Sequence, residues 1–155
     1  MTRSSTHTCL ATLQGRRSTD LWLVSATIHP TAPWTACILS ICYLTDTEVS
    51  KNPNRLAKMY AEFVEGSDLV IVDAMYGFLE YHEKINFGHS TIYNWIDFFK
   101  TSDIGELVIF HHDPLADDDS VRSLLGSAVR YKELMAPEAT WQLTAAYEGQ
   151  RWSLG

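Results

Sequence analysis

Short runs of apolar residues, each followed by polar side chains, recur along this chain. Residues 69–72 and 107–110 are apolar throughout, which is typical of strands buried on both faces of a parallel sheet. Residues 21–28 and 36–44 are longer apolar segments of the same kind. Alternating apolar residues over 141–147 predict a half-buried strand. Each of these five runs is therefore predicted to be a strand, and most of the five are buried.

Helical spacing of apolar residues separates several of these strands. Apolar positions at i, i+3, i+4, i+7 and i+8 predict a helix over 53–65, which Asn52 can cap and Gly66 can end. Similar spacing predicts helices over 91–100 and 120–134. Strands that alternate with helices predict an α/β layer fold.

Composition narrows the class of protein. The 155 residues, 46% apolar and 20% charged, are enough for one globular domain with a core. No apolar run has the length of a transmembrane helix, so we expect no membrane partner. Residues 1–20 are rich in Ser, Thr and Arg without a period, and we expect them to be poorly ordered. The predicted domain is therefore 21–155.

Charge and cysteine content bear on partners and compartment. The net charge of −7 and the lack of a basic patch argue against nonspecific nucleic-acid binding, although they do not exclude a nucleic-acid substrate. The 3 cysteines form no Cys-x-x-Cys pair, which favours free thiols and a reducing compartment. We therefore expect a cytoplasmic protein.

Acidic and histidine side chains follow the predicted strands. Asp46, Asp73 and His111 come directly after apolar runs, and two loops add His29 and His89. Carboxylate oxygen together with imidazole nitrogen suits Zn²⁺, Mn²⁺ or Fe²⁺. A histidine in a loop or an aspartate after a strand is also common in ordinary turns. From spacing alone, both a metal site and a set of polar turns remain open.

Four segments, in order, carry a resemblance to a known family. They are Tyr-Leu-Thr-Asp-Thr-Glu (43–48), Asp-Leu-Val-Ile-Val-Asp-Ala-Met-Tyr (68–76), Gly-His-Ser-Thr (88–91) and Leu-Val-Ile-Phe-His-His-Asp-Pro (107–114). Together they resemble the carboxy-terminal half of a metallo-β-lactamase-fold hydrolase of the ribonuclease Z and phosphodiesterase-like branch. The resemblance implies half of an αββα sandwich, with a mixed sheet and helices on one face.

The resemblance also implies a metal site. Asp46 would bridge two divalent metals, zinc or else manganese or iron, with His111 and His29 as further ligands. His89 would be the catalytic histidine that protonates or steadies the leaving group. Asp73 and His112 are expected to contact the ligands or His89, not the metals, and to hold them in position. The implied substrate is a phosphodiester or another small molecule.

One departure from the family separates two hypotheses. The His-x-His-x-Asp-His motif, which supplies most ligands of the first metal in the family, is absent from the 155 residues. We therefore expect a truncated or divergent member, and whether it is an enzyme stays open. The first hypothesis is a metal-dependent, phosphodiesterase-like hydrolase that is defective or is completed by another chain. The alternative is a non-catalytic α/β remnant that binds a partner protein or a single metal.

The apolar strands make a further prediction about the sheet. Residues 69–72 and 107–110 are apolar on both sides, whereas helices of half a sandwich cover only one face. We expect the other face to be covered by the apolar segment 21–41 or, next in order, by a second copy in a homodimer.

Overall fold

The computed structural model describes the backbone of residues 10–18, 21–29, 37–49 and 53–152, and the side chains of 40–49 and 58–152. The strands are β1 (Leu10–Ser18), β2 (Leu21–His29), β3 (Cys37–Leu44), β4 (Ser67–Asp73), β5 (Ile104–Phe110) and β6 (Gln142–Ala145). The helices are α1 (Pro53–Val64), α2 (Ile92–Phe99) and α3 (Asp118–Met135), with a short 3-10 turn at Tyr81–Glu83. No helix in the described ranges is long and apolar enough to cross a membrane.

All of these strands form one sheet in the order β1-β2-β3-β4-β5-β6. β1, β2 and β3 pair antiparallel, whereas β3, β4, β5 and β6 pair parallel. Each helix joins two neighbouring parallel strands, and such crossovers are right-handed, so all three helices lie on one face. Contacts of α1 with α2 and of α2 with α3 agree with this arrangement. The mixed sheet with helices on one face confirms the expected fold class.

The core lies between the sheet and the helices. Alternate strand residues, including Cys42, Val70 and Leu107, are fully buried there because side chains alternate between the faces of a strand. Trp95 of α2 fills the centre, and its indole Nε1 donates to the backbone oxygen of Asp73 at 2.7 Å. This bond ties α2 to the carboxyl end of β4, where the candidate site lies.

Local capping explains where two helices begin. The Thr91 hydroxyl accepts from the Asn94 backbone N–H, and the Asn94 side chain accepts in return from Thr91 N, which forms a capping box. Asp117 caps α3 by accepting from Ser120 N at 2.8 Å. Hydrogen bonding to Ser120 lowers the pKa of Asp117, because it favours the charged carboxylate.

The described residues of the amino-terminal part belong to the sheet. Residues 10–18, expected to be poorly ordered, form β1, because pairing with β2 satisfies their backbone groups without any apolar period. The segments 21–29 and 37–41 were expected to cover the second sheet face. They instead extend the sheet sideways as β2 and the first part of β3. Residues 1–9 and 30–36 lie outside the described residues.

The second face of the sheet carries further apolar side chains. Ile41, Tyr43 and Ile71 lie on it and are half-buried, whereas Leu69 and Val108 are buried. Among the described residues, no helix packs against this face, because the three crossovers all lie on the other one. The face is therefore apolar but not covered by any described helix.

Candidate metal centre

Four predicted residues meet at the carboxyl ends of the parallel strands. Asp46 follows β3, Asp73 ends β4 and His111 follows β5. His89 lies in the segment before α2. A parallel β-bridge between Tyr76 and Thr91 holds this segment beside β4. Each residue offers one ligand atom, and these atoms all lie within 4.8 Å of one another. The edge at which parallel strands end is the usual location of binding sites in α/β proteins.

Asp46 lies close to two histidines. Its Oδ1 is 3.9 Å from Nε2 of His111 and 3.9 Å from Nδ1 of His89. The two imidazole rings stack with centroids 4.8 Å apart. Asp46 is exposed and His111 is partly exposed, so both can be reached from solvent. The predicted convergence of Asp46 and His111 is confirmed, whereas their roles as metal ligands stay predictions.

A buried carboxylate orients His89. Oδ2 of Asp73, which is fully buried, lies 2.5 Å from Nδ1 of His89, and its Oδ1 accepts from Met75 N at 3.1 Å. An ionised carboxylate only accepts hydrogen bonds, so Nδ1 of His89 is the donor. Nε2 of His89 is then the nitrogen left to hold a ligand or exchange a proton. Carboxylates commonly fix the tautomer of functional histidines in this way.

The backbone is strained at two of the four residues. Asp46 has φ 48° and His111 has φ 55°, in the left-handed region that non-glycine residues rarely adopt. Such conformations cost about 1–3 kcal/mol and concentrate at functional sites. Both turn the chain sharply where a parallel strand ends, and this turn brings each side chain to the group.

The carboxylate of Glu48 holds the loop that leads to His89. It accepts from Asn86 N at 2.7 Å through Oε1 and from Gly88 N at 3.1 Å through Oε2. Asn86 and Gly88 both have positive φ, 75° and 93°, so this loop is tightly bent. Glu48 is two residues beyond Asp46, and it therefore links the segment of Asp46 to the segment of His89.

Ser90 makes a second link between these two segments. Its hydroxyl donates to the backbone oxygen of Thr47 at 2.5 Å and accepts from Val49 N at 3.1 Å. Ser90 is fully buried, and its neighbour His89 is thereby fixed against the strand end. No pattern in the sequence indicates that Glu48 or Ser90 positions site residues, although both lie inside the segments that carry the family resemblance.

Tyr76 packs against the site. Its ring meets the His89 ring edge-on, with centroids 5.8 Å apart. Burial, and then the nearby carboxylates led by Asp73, raise the pKa of Tyr76, because both disfavour a phenolate. Tyr76 therefore stays a neutral phenol at neutral pH and walls one side of His89.

The remaining two predicted residues lie elsewhere. His112 is directed to Ala146, with Nε2 3.4 Å from the backbone oxygen, and is not among the four converging residues. His29 ends β2, which runs antiparallel to β3, so its backbone lies beside the start of β3. The strand of 8 residues places that point roughly 25 Å from Asp46. The backbone of His29 is therefore far from the four converging residues, and its side chain lies outside the described ones.

The donor set fits a divalent ion. Atoms that share one zinc ion lie within roughly 4 Å of one another, because each bond is near 2 Å, and Asp46 and His111 meet this limit at 3.9 Å. Nδ1 of His111 is buried, has no hydrogen-bond partner among the described residues and lies 3.8 Å from Oδ2 of Asp73. The carboxylate of Asp46 and the imidazole of His111 match the donors that zinc, manganese and iron accept.

Comparisons with known proteins bear on the fold. No protein-family model and no curated protein matches the sequence. Among solved structures, the chain is similar to the metallo-beta-lactamase fold protein YhfI from Bacillus subtilis, with a TM-score of 0.53 and 14% identity. That match covers 90% of this chain and 52% of YhfI. A new diphosphatase from the PhnP family also matches, at a TM-score of 0.46 and 14% identity over 93% of this chain and 47% of its own.

The likeness to YhfI establishes the fold. This chain has the architecture of about half of a metallo-β-lactamase fold and spans about half the length of the solved proteins that it matches. The fold predicted from the four sequence segments is therefore confirmed.

Proposed function

We propose that this chain carries the carboxy-terminal part of a metal-dependent, phosphodiesterase-like hydrolase site of the metallo-β-lactamase superfamily. The observation that supports it is the convergence of Asp46, His89 and His111 at one sheet edge, with Asp73 behind them. Asp46 and His111 would hold a divalent ion, zinc or else manganese or iron. When bound, such an ion lowers the pKa of a bound water and polarises a phosphoryl oxygen.

The residues of this chain would then handle the proton. Asp73 keeps the proton of His89 on Nδ1 and stabilises the imidazolium that forms when Nε2 also takes a proton. A phosphodiester at the site would place its leaving oxygen near His89, which donates the Nε2 proton as the ester bond breaks. Tyr76 and the Glu48 carboxylate keep this imidazole in place.

The catalytic set in this chain is incomplete. The His-x-His-x-Asp-His motif is absent from the 155 residues, so these residues do not supply the ligands that the family uses for a first metal. We therefore expect negligible turnover from the isolated chain, because loss of one activating ion costs several kcal/mol and each 1.36 kcal/mol is about tenfold in rate. Robust hydrolysis of a chromogenic phosphodiester with added zinc or manganese, abolished in His111→Ala, contradicts this expectation.

The alternative is a non-catalytic α/β unit that binds a single metal or a partner protein. The missing motif and the apolar second face of the sheet favour it. In that case Asp46 and His111 could still bind an ion, but nothing would require a phosphodiester to approach it.

Binding of bis(4-nitrophenyl) phosphate separates the two hypotheses. The hydrolase-type site predicts that this phosphodiester shifts the NMR signals of His89 and His111 in the zinc-loaded chain. The same addition to zinc-free protein or to His111→Ala should leave them unchanged. Zinc binding without any effect of the phosphodiester supports the alternative and contradicts the proposed function.

A further inference from the structure

An open cleft of about 880 Å³ begins at His111 and extends away from the other site residues. It lies between the first turns of α3 and the chain that follows β6. Its walls are mostly apolar, and six of the lining residues are Phe110, His111, Val121, Leu125, Ala145 and Tyr147. A cleft of this size is within the range that holds a drug-sized ligand. Because His111 belongs both to the cleft and to the candidate metal centre, a ligand group in the cleft would lie next to whatever binds at Asp46 and His111.

The charges around the cleft are mainly negative. Asp118 and Glu148 contribute carboxylates, and Arg122 is the only cation among the described lining residues. Nη1 of Arg122 is 2.7 Å from Oδ1 of Asp119, and its Nη2 is 4.0 Å from Oδ2 of Asp118. The guanidinium is therefore already paired with two carboxylates. A second anionic group of a ligand would meet repulsion here without a free cation to offset it.

We propose that this cleft binds the uncharged organic group of a phosphodiester, which restricts the substrate class to small monoanionic phosphodiesters with an aromatic or apolar alcohol. The inference rests on the proposed function, since the phosphoryl group is placed at Asp46 and His111. Tyr147 offers an aromatic surface to a flat group and is exposed enough to receive one. Nucleic acid and diphosphate esters are disfavoured, because both would bring further negative charge into the cleft.

A matched pair of ligands tests the proposal on the full zinc-loaded chain. Methyl phenyl phosphate and methyl 4-carboxyphenyl phosphate are both phosphodiesters, and they differ by one carboxylate on the ring. We expect methyl phenyl phosphate to bind at least ten times more tightly and to shift the backbone amide signals of Phe110, Ala146 and Tyr147 in NMR titrations.

Two substitutions locate the effect in the cleft. Glu148→Lys, at an exposed position, should bring the affinities of the two esters closer together, because it replaces a repulsive carboxylate with a cation. Glu133→Lys makes the same change of charge near the other end of α3, roughly 22 Å along the helix axis from Asp118, and should leave the ratio unchanged. Ala146→Trp should fill the cleft and abolish ester binding while zinc still binds.

Failure of this inference differs from failure of the proposed function. Equal affinities for the two esters, or binding of methyl phenyl phosphate without shifts at the cleft residues, overturn the cleft assignment while zinc binding stands. Absence of binding by both esters to the zinc-loaded chain at about 10 mM contradicts the proposed function together with the cleft assignment. Loss of zinc binding itself, measured separately by titration, contradicts the proposed function instead.

Discussion

At the scale of single residues, the site combines strain with support. Asp46 and His111 hold left-handed backbone conformations that persist only when surrounding contacts over-determine them. The supporting contacts are specific: Asp73 is fully buried and holds His89 at 2.5 Å. A residue that only ended a strand would need neither the strain nor a buried carboxylate. This combination is what distinguishes the group from four ordinary turn residues.

Asp73→Asn tests the support of His89. The amide cannot act as a charged acceptor for Nδ1–H, so the tautomer of His89 should no longer be fixed, which ¹⁵N NMR of the imidazole detects directly. Zinc affinity should also fall by about 10–100-fold, because Oδ2 of Asp73 lies 3.8 Å from Nδ1 of the expected metal ligand His111, and changing a residue next to a metal ligand commonly has an effect of this size. Asp68→Asn is the matched control, because Asp68 lies near the start of β4 and accepts from Ser40 N, away from the site. An Asp73→Asn protein with unchanged His89 signals and zinc affinity contradicts the assignment.

Some of these residues could be predicted from the sequence and others could not. Asp46, Asp73 and His111 were identified because each follows an apolar run, and the carboxyl ends of parallel strands meet at one edge. Glu48 and Ser90 were missed because their partners are 38 to 43 residues away along the chain. No local pattern indicates which backbone N–H a distant side chain will meet.

At the scale of elements, the direction of β2 determines where His29 lies. An apolar run that ends in a histidine predicts a strand but not its direction, and β2 runs antiparallel to β3. His29 is consequently at the far end of the sheet from Asp46. The helices over 53–65, 91–100 and 120–134 were predicted to within two residues at most ends, because apolar period and capping residues are local signals.

Close packing of β4 against β5 depends on Gly105. A Cβ at this position would lie 2.4 Å from the backbone oxygen of Asp68, so Gly105→Ala should force the two strands apart. We expect a loss of about 3 kcal/mol in the free energy of unfolding, measured by urea denaturation. Gly126→Ala in α3 is the matched control, since the nearest atom there is 3.9 Å away. It should stabilise the protein by about 0.5–1 kcal/mol; equal effects of the two changes would show that β4 and β5 are not this close.

The loop between β4 and α2 depends on Glu48. Glu48→Ala removes both acceptors for Asn86 N and Gly88 N, and hydrogen bonds to charged groups are worth about 1.5–3 kcal/mol, less where they are exposed. We expect faster amide hydrogen exchange over residues 86–89 and weaker zinc binding. Glu83→Ala, at an exposed position in the same loop, should change neither. Unchanged amide hydrogen exchange over residues 86–89 in Glu48→Ala would show that Glu48 does not hold this loop.

At the scale of the whole molecule, one face of the sheet needs explanation. Tyr43 and Ile71 on this face are half-buried, no described helix covers it, and the segments expected to cover it are strands of the same sheet. Strands that are apolar on both sides need a partner on each face. We predict that a second copy of this chain or another protein covers the half-buried part of this face around Tyr43 and Ile71.

Ile71→Thr tests this expectation by replacing an apolar side chain on this face with a smaller, polar one. The purified chain should self-associate in light scattering or bind a hydrophobic dye, and Ile71→Thr should reduce whichever of these occurs. The change should cost little stability, because Ile71 is only half-buried. Val70→Thr, one residue away on the buried helix side, should instead lower stability without reducing association of the protein that remains folded. A monodisperse monomer that binds no dye contradicts the prediction.

The most direct test of the account is calorimetric titration of zinc into the purified chain. We expect one zinc ion to bind per chain. Binding should be abolished in Asp46→Ala and in His111→Ala, because Oδ1 of Asp46 and Nε2 of His111 lie 3.9 Å apart at the proposed centre. His82→Ala removes a histidine on the exposed loop and should leave the titration unchanged. Absence of saturable zinc binding, or binding that survives His111→Ala, would contradict the proposed metal centre.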